Sequence, residues 1–226
     1  MSVYCIIPAR KGSKRIPNKN FREFCGEPMV DRAIDLACHV VDLPIVSTDS
    51  NLLFDYSRAD KLWRDEHCDD RSGLLDVMQD AIFSFSERDI LLADESIFVC
   101  LLPCTPLLQA DTLKRAVESY KAHYAASHEM MVSVCEYPHP LQRSFWLANG
   151  SISGCVKQEQ NTQDCGVHYH DAGQFYIATA KRWLSGEPIL SDGAKPWILP
   201  RHEAVDIDTE EDWRLAELIY RGLKCE

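Results

Sequence analysis

Residues 3–20 read VYCIIPARKGSKRIPNKN and indicate how the chain folds. The first six are mostly apolar, with several β-branched or aromatic side chains, which is typical of a buried strand. Residues 10–19 then hold five basic side chains and no acidic one. Gly12 and Ser13 allow a tight turn whose amides can face phosphate oxygens. Because ligands of α/β proteins bind at the carboxyl ends of strands, this stretch predicts a loop that binds an anion.

The rest of the chain alternates short apolar runs with amphipathic helical patterns. This alternation predicts an α/β fold with a mainly parallel sheet. Further strands are expected at 44–48, 96–102, 131–135 and 173–178. Helices are expected at 29–41, 50–60, 73–85, 111–124 and 209–223, the fourth capped by Asp111 or Thr112.

Residues 137–170 interrupt this alternation with proline, glycine and short polar stretches. The change of pattern predicts an excursion from the main sheet. A chain of 226 residues is the usual size of one domain. We therefore expect a single domain over 1–226, with a small subdomain inserted at 137–170.

Composition excludes several classes of partner. The 24 basic and 35 acidic residues leave a net charge of −11, which is unlike most nucleic-acid-binding proteins. The chain has no apolar run of about 18 residues, so we expect no membrane partner. Ten cysteines occur without a CxxC pair or zinc spacing, which predicts reduced thiols in a cytoplasmic protein.

A second polar segment, VDIDTEED, occupies residues 205–212. In an extended chain Asp206 and Asp208 lie on one face, and two carboxylates with that spacing suit Mg²⁺ completed by substrate phosphates. The alternative is that both are surface acids at the start of a helix, where the helix dipole favours them. Thr209 and Asp212 resemble a capping box for that helix.

Four other segments carry polar or turn-forming residues. They are IVSTDS at 45–50, LLPCTPLLQ at 101–109, YPHPLQR at 137–143 and HYHDAGQFY at 168–176. The first two end predicted strands and are expected to line the same cleft, although turn chemistry explains their composition equally well. The last two are rich in His, Gln, Arg and Tyr, which suits a polyhydroxylated, carboxylated ligand.

Taken together, these segments resemble the cytidylyltransferases that make CMP-activated nonulosonic acids, the CMP-sialic acid synthetase family. The resemblance covers nearly the whole chain in order, through IPARKGSKRIPNKN, IVSTD, LLPCTPLL, HPLQR, DAGQFYI and VDIDTEED. Within the family the chain is most similar to the pseudaminic acid branch, because YHDAGQFY replaces an Arg-Pro-Asn-Gly segment of sialic acid enzymes. His170 stands where that arginine would be, and Leu102 stands where glutamine is usual.

The resemblance implies a three-layer nucleotide-binding fold like that of nucleotide-diphospho-sugar transferases, with 137–170 as a dimerisation subdomain of a homodimer. It implies Mg²⁺ held by Asp206 and Asp208, which with Arg10 and Lys19 form the catalytic set. The implied CTP-binding residues are Arg10, Gly12, Ser13, Lys14, Lys19 and Asn20 around the triphosphate, and Asp70, Ser72 and Gly73 near the base. The implied sugar-binding residues are Gln142, Arg143, His170, Asp171, Gln174 and Tyr176.

The chain departs from the family pattern at three places. Lys11 replaces a commoner glycine, Cys104 replaces threonine or serine, and residues 53–72 match poorly.

The expected reaction joins CTP to pseudaminic acid, a nine-carbon 2-keto sugar acid, and releases pyrophosphate. The nearest alternative is the same reaction on N-acetylneuraminic acid, legionaminic acid or KDO. Two further alternatives are a nucleotide-sugar glycosyltransferase of related fold and a nucleotide-binding module without catalysis.

Overall fold

The computed structural model describes residues 1–41, 43–51, 58–69, 72–87, 93–154 and 161–224. These residues contain eleven strands and five α-helices, which we number in chain order. The strands are β1 Val3–Pro8, β2 Glu23–Phe24, β3 Glu27–Pro28, β4 Ile45–Thr48, β5 Asp60–Trp63, β6 Ile97–Leu101, β7 Met131–Glu136, β8 Trp146–Ala148, β9 Ser151–Ser153, β10 Tyr169–Thr179 and β11 Lys195–Leu199. The helices are α1 Met29–Ala37, α2 Leu74–Ser86, α3 Ala110–His123, α4 Ala180–Leu184 and α5 Glu210–Leu223.

A seven-stranded sheet with the order β11-β7-β10-β6-β1-β4-β5 forms the centre of the molecule. Four of its six strand pairs are parallel, and both pairs made by β10 are antiparallel. The predicted mainly parallel sheet is therefore confirmed. The helix expected at 50–60 is wrong where the structure describes it, because Asp60 begins β5, which pairs with β4. Residues 52–57 of that prediction lie outside the described residues.

Helices cover both faces of the sheet. Cys5 and Ile7 of β1 point to the face covered by α1 and α3, whereas Ile6 points to the face covered by α2 and α4. This alternation follows from the two-residue period of a strand, and all three side chains are fully buried. The expected three-layer α/β architecture is confirmed.

A smaller cluster, which we call the third core, lies away from these two layers. Ile16 of the basic loop (residues 9–20) and Ile207 of the acidic segment (residues 205–212) are both fully buried in it, against Phe24, Trp213 and Ala216. Helix α5 supplies Trp213 and Ala216, so it packs on the basic loop. The third core thus joins two segments that are about 190 residues apart in the chain.

The starts of α5 and α3 test the helix caps that were predicted from the local sequence. The capping box before α5 is confirmed, since the Thr209 hydroxyl accepts a hydrogen bond from the Asp212 amide at 3.2 Å. The cap expected for α3 is wrong, because Gln109 precedes its first turn and Thr112 lies inside it. The buried carboxylate of Glu203 accepts bonds there from the Gln109 amide at 3.1 Å and the Thr112 hydroxyl at 3.2 Å.

Residues 137–168 leave the sheet between β7 and β10. Their described part contains a 3-10 turn at Leu141–Arg143, a second at Thr162–Asp164, and the hairpin β8–β9, whose six residues are all exposed. Residues 155–160 lie outside the description. The excursion thus ends slightly earlier than expected, since β10 begins at Tyr169.

All eight cysteines in the described segments are free thiols, and Cys155 and Cys225 lie outside them. No helix in those segments combines the length and the apolar character needed to span a bilayer.

Candidate functional site

A cleft of about 560 Å³ opens at the carboxyl ends of the central strands. One wall comes from the basic loop that follows β1, and another from the turn after β6, residues 102–104. Asp206 and Asp208 form the floor between them. The predicted triphosphate residues that line this cleft are Arg10, Ser13, Lys14, Lys19 and Asn20.

Ion pairs join the basic loop to the acidic segment within the cleft. The Lys19 ammonium lies 3.1 Å from Asp208 Oδ1 and donates to the Ile207 carbonyl at 2.5 Å. The Arg15 guanidinium lies 2.9 Å from Asp208 Oδ2. Burial of Ile207 in the third core turns Asp206 and Asp208 outward, because alternate residues of an extended segment face opposite sides. The two segments therefore face one another across the same space.

The carboxylates differ in their surroundings. Asp206 is open to the cleft on one side but crowded by protein on the others. Asp206 is exposed, but desolvation by the protein around its carboxylate, together with repulsion from Asp208, raises its pKa to about 6, although Lys19 opposes the shift. No group in the described segments donates a hydrogen bond to Asp206, whereas Asp208 pairs with two cations. Burial alone would lower the pKa of Lys19, but the neighbouring Cys104, the contact with Asp208 and the charge of Asp206 make the net shift upward.

The basic loop is held by short backbone contacts. The Ser13 amide donates to the Lys11 carbonyl at 2.9 Å, which closes the predicted tight turn around Gly12. The Lys11 amide donates to Asp49 Oδ1 at 2.7 Å. Asp49 was expected to line the cleft, but it is outside the described lining and anchors the loop instead. This contact explains why the aspartate follows β4.

Cys104 and Asn20 connect the two walls. The Cys104 thiol donates to Asn20 Oδ1 at 2.9 Å, and Asn20 Nδ2 donates to the Arg10 carbonyl at 2.9 Å. Burial raises the pKa of Cys104 to about 12, so the thiol keeps its proton and can act as a donor. The replacement of a hydroxyl by a thiol at this position therefore preserves a donor.

The far end of the cleft is lined by Ser72, Leu74 and Val77 at the start of α2. Gly73 is the residue before that helix, and Asp70 lies outside the described residues. Sequence reasoning missed Arg64, which directly follows β5 and also lines this end. Arg64 is only 2% exposed, and its Nε has no hydrogen-bond partner in the described segments. No local pattern marks it, because it is a single arginine in the poorly matching stretch.

The predicted sugar residues lie beside the cleft rather than in it. None of the six is part of the lining formed by the described residues. His170 Nδ1 donates to the Asp171 carbonyl at 2.8 Å, and the His170 ring lies 4.9 Å from that of Tyr137. Gln142 and Arg143 occupy the first 3-10 turn of the excursion. The role of His170, Gln142 and Arg143 in sugar binding remains a prediction.

The remaining sugar residues share a bulge in β10. The Tyr176 hydroxyl donates to Asp171 Oδ2 at 2.8 Å. Gln174 is fully buried and donates to the Ala172 carbonyl at 2.8 Å, while its Oε1 has no partner in the described segments. This bulge lies beside the acidic segment, because a Cβ on Gly173 would lie 3.0 Å from Asp206 Oδ2.

The donor set fits a magnesium ion shared with a substrate. The described residues gather no group of three His, Cys, Asp or Glu side chains that could hold a metal alone. Asp206 offers a carboxylate without a protein donor, and Asp208 lies two residues away on the same side. Mg²⁺ commonly takes one or two carboxylates and completes its shell with water and phosphate oxygens.

Comparisons with known proteins find similar sequences along nearly the whole chain. The sequence model of a family described as cytidylyltransferase matches residues 4–143. A pseudaminic acid cytidylyltransferase of Campylobacter jejuni subsp. jejuni serotype O:2 is 32% identical, over 98% of this chain and 97% of that protein. A CMP-N,N'-diacetyllegionaminic acid synthase of Legionella pneumophila subsp. pneumophila is also 32% identical, over 96% of this chain and 95% of that protein.

A solved structure of CMP:2-keto-3-deoxy-manno-octonic acid synthetase in complex with CTP has the same fold. It aligns with a TM-score of 0.70 over 99% of this chain and 100% of that chain. The identity is 13%, so this likeness concerns the fold alone.

Proposed function

Because the chain belongs to the cytidylyltransferase family, we propose that it transfers the CMP group of CTP to a nine-carbon 2-keto sugar acid and releases pyrophosphate. The sugar acid that we propose is pseudaminic acid, because relatives at 32% and 31% identity carry that name.

One observation supports the proposal above the others. The basic loop and the acidic segment lie at opposite ends of the sequence, yet Lys19 and Asp208 approach within 3.1 Å in one cleft. A triphosphate needs cations around its leaving group, and its metal needs carboxylates nearby. The cleft brings both within reach of one nucleotide.

The reaction needs positioning more than a protein nucleophile. The anomeric hydroxyl oxygen of the sugar acid forms a bond to the α-phosphorus, and the bond from that phosphorus to the bridging oxygen breaks. Pyrophosphate leaves with that electron pair, and the hydroxyl proton is released. Arg10 and Lys19 line the cleft and would stabilise the charge on the leaving pyrophosphate.

Asp206 and Asp208 would hold Mg²⁺ together with phosphate oxygens. A bound magnesium ion supplies charge neutralisation at the α-phosphate. Lys19 and Arg15 pair with Asp208 in the free protein, so the triphosphate can take over these cations when it binds. This exchange would leave the Asp208 carboxylate available to bind Mg²⁺.

Pyrophosphate release tests the proposal directly. The purified protein is incubated with CTP and each of pseudaminic, legionaminic and N-acetylneuraminic acid and KDO, with Mg²⁺ or with EDTA. We expect Mg²⁺-dependent release with pseudaminic acid above the others. Absence of release with every acid, while CTP still binds, would favour a nucleotide-binding module without catalysis. Release of CMP from a CMP-sugar in the presence of an acceptor would favour a glycosyltransferase.

Legionaminic acid is the second candidate substrate. It is favoured by the Legionella relative, which is as similar in identity as the first Campylobacter relative. The same panel separates the two acids, because kcat/KM for each is measured with the same protein preparation.

We also propose that the protein is a cytoplasmic homodimer that uses the excursion at 137–170 as its interface. The hairpin β8–β9 exposes Trp146 and Leu147 at 78% each and Ile152 at 57%. An isolated two-stranded hairpin is marginally stable in water, so a second copy packing on these side chains would stabilise it. Sedimentation velocity of the wild type and of Trp146→Ser tests this, with a monomeric wild type as the contrary result. The free thiols of the described segments fit a reducing compartment.

A further inference from the structure

Strand β10 loses its regular pairing in the middle. Asp171 lies opposite Val134 of β7, whereas Tyr176 lies opposite Val132. Five steps along β10 therefore match two steps along β7. The extra residues form a bulge, a device that redirects a strand near functional sites.

Side chains close this bulge with several hydrogen bonds. Asp171 accepts at both carboxylate oxygens, from the Tyr176 hydroxyl at 2.8 Å and from the Gly173 amide at 3.0 Å. The buried Ser133 hydroxyl accepts from the amides of Gln174 at 3.3 Å and Phe175 at 3.1 Å. These bonds replace the ladder contacts that the bulge removes and fix its shape.

The closed bulge lies close to a carboxylate of the cleft. Gly173 has φ of +60°, and a Cβ there would lie 3.0 Å from Asp206 Oδ2. No described group donates to Asp206, and its carboxylate occupies the space that a side chain at residue 173 would fill, so the position of Gly173 limits how the carboxylate can turn on that side.

We propose that Asp171 and Tyr176 form a positioning pair that holds Gly173 against Asp206 and so sets the orientation of that carboxylate. This inference rests on the proposed function, because it assigns the orientation of Asp206 to metal and CTP binding. It replaces the expected role of Asp171 and Tyr176 as direct ligands of the sugar acid.

The surroundings of Tyr176 favour this role. Its side chain is 5% exposed, so little of it is available to a ligand. Burial raises the pKa of the phenol, which keeps its proton for donation to Asp171. Asp171 is exposed, but both of its oxygens already serve the bulge.

The test compares metal affinity with sugar affinity. Mn²⁺ is titrated, by electron paramagnetic resonance, into the full chain bound to a CTP analogue with a methylene between the α and β phosphates. For Tyr176→Phe and Asp171→Asn we expect the Kd for Mn²⁺ to rise about tenfold, the usual effect of losing a group that orients a metal ligand. We expect kcat to fall while KM for the sugar acid stays within about twofold of wild type.

Tyr120→Phe is the matched control. Its hydroxyl donates to the Glu129 carbonyl at 2.8 Å in the interior, away from the cleft lining. The control should lose thermal stability while its affinity for Mn²⁺ is unchanged. Gly173→Ala is a second variant, because at φ of +60° it strains the bulge and places a methyl group against Asp206, while the side chains of Asp171 and Tyr176 are unchanged. It should also weaken Mn²⁺ binding.

A rise in sugar KM of tenfold or more for Tyr176→Phe, with unchanged Mn²⁺ affinity, overturns the inference and restores the role in sugar binding. Unchanged Mn²⁺ affinity in Gly173→Ala overturns it as well. Wild-type protein that binds no Mn²⁺ with the nucleotide overturns both the inference and the proposed function. If the inference fails but the proposed function holds, the wild-type protein still binds Mn²⁺ with the nucleotide and still releases pyrophosphate.

Discussion

Lys19 of the basic loop bonds directly to the acidic segment and so joins the two sides of the cleft. Its side chain is 14% exposed, and its ammonium contacts both Asp208 and the Ile207 carbonyl. Lys19→Met keeps most of the apolar stem but removes the charge. In the nucleotide-free protein the loss of these bonds should lower the free energy of unfolding by about 1–2 kcal/mol. This amount leaves the protein folded, since domains are stable by about 5–15 kcal/mol.

The effect on the reaction should be larger than the effect on stability. An aligned cation that stabilises developing charge contributes about 2.7–4 kcal/mol, so turnover should fall about 10²–10³-fold. The assay is pyrophosphate release at saturating CTP and Mg²⁺, with thermal unfolding measured on the same samples. Turnover within about fivefold of wild type would refute the role of Lys19 in stabilising the leaving group.

Lys195→Met is the matched control for this experiment. Lys195 also pairs with a carboxylate, Glu129 at 2.8 Å, but it lies on the edge strand β11 and outside the cleft lining. The charges of this pair are open to solvent, which weakens their attraction. We expect a small loss of stability and unchanged turnover, and equal loss of turnover in both variants would point to a general effect of lysine removal.

Three further results are expected. Asp208→Ala should reduce turnover at least about 10²-fold with the fold intact, and near-wild-type turnover at saturating Mg²⁺ would contradict its role at the metal. Arg64→Met should raise KM for CTP about 10–100-fold, because a buried guanidinium with an unpartnered Nε faces the cleft; a change confined to the sugar KM would argue otherwise. Glu203→Ala should cost about 2–3 kcal/mol and lower Tm by about 4–12 °C, as Gln109 and Thr112 lose their acceptor; calorimetry showing an unchanged Tm would be the contrary outcome.

Local sequence patterns predicted the parts of this fold that depend on local physics. The strand at Val3–Pro8 follows from its apolar run, and the start of α5 follows from the Thr209–Asp212 capping box. The family resemblance is confirmed by a family match over residues 4–143 and by relatives that span nearly the whole chain. The fold class and the family could therefore be predicted from sequence alone.

Elements that depend on contacts between residues far apart in the chain could not be predicted from local sequence. The start of α3 is held by Glu203, which lies 91 residues after Thr112 and leaves no signal near the helix. Strand β5 has one buried side chain, Leu62, and it forms because β4 offers a partner. Arg64 faces the cleft only because β5 places it there.

The contact between Asp171 and Tyr176 in the site could not be predicted from the sequence either. Their residue types suit a sugar ligand, and nothing in the sequence indicates that they bond to one another. The roles of the individual site residues remain predictions until the variants are measured.

The third core also determines how the protein should respond to heat. Neither the basic loop nor the acidic segment is a strand of the central sheet, and both rest on Ile16, Ile207 and the inner face of α5. A helix that packs in its own small core can open locally at a lower free-energy cost than the whole domain. Pyrophosphate release should therefore be lost on warming at a lower temperature than the central sheet unfolds. A chain truncated before Trp213, which lacks the core side chains of α5, should fold but should not release pyrophosphate.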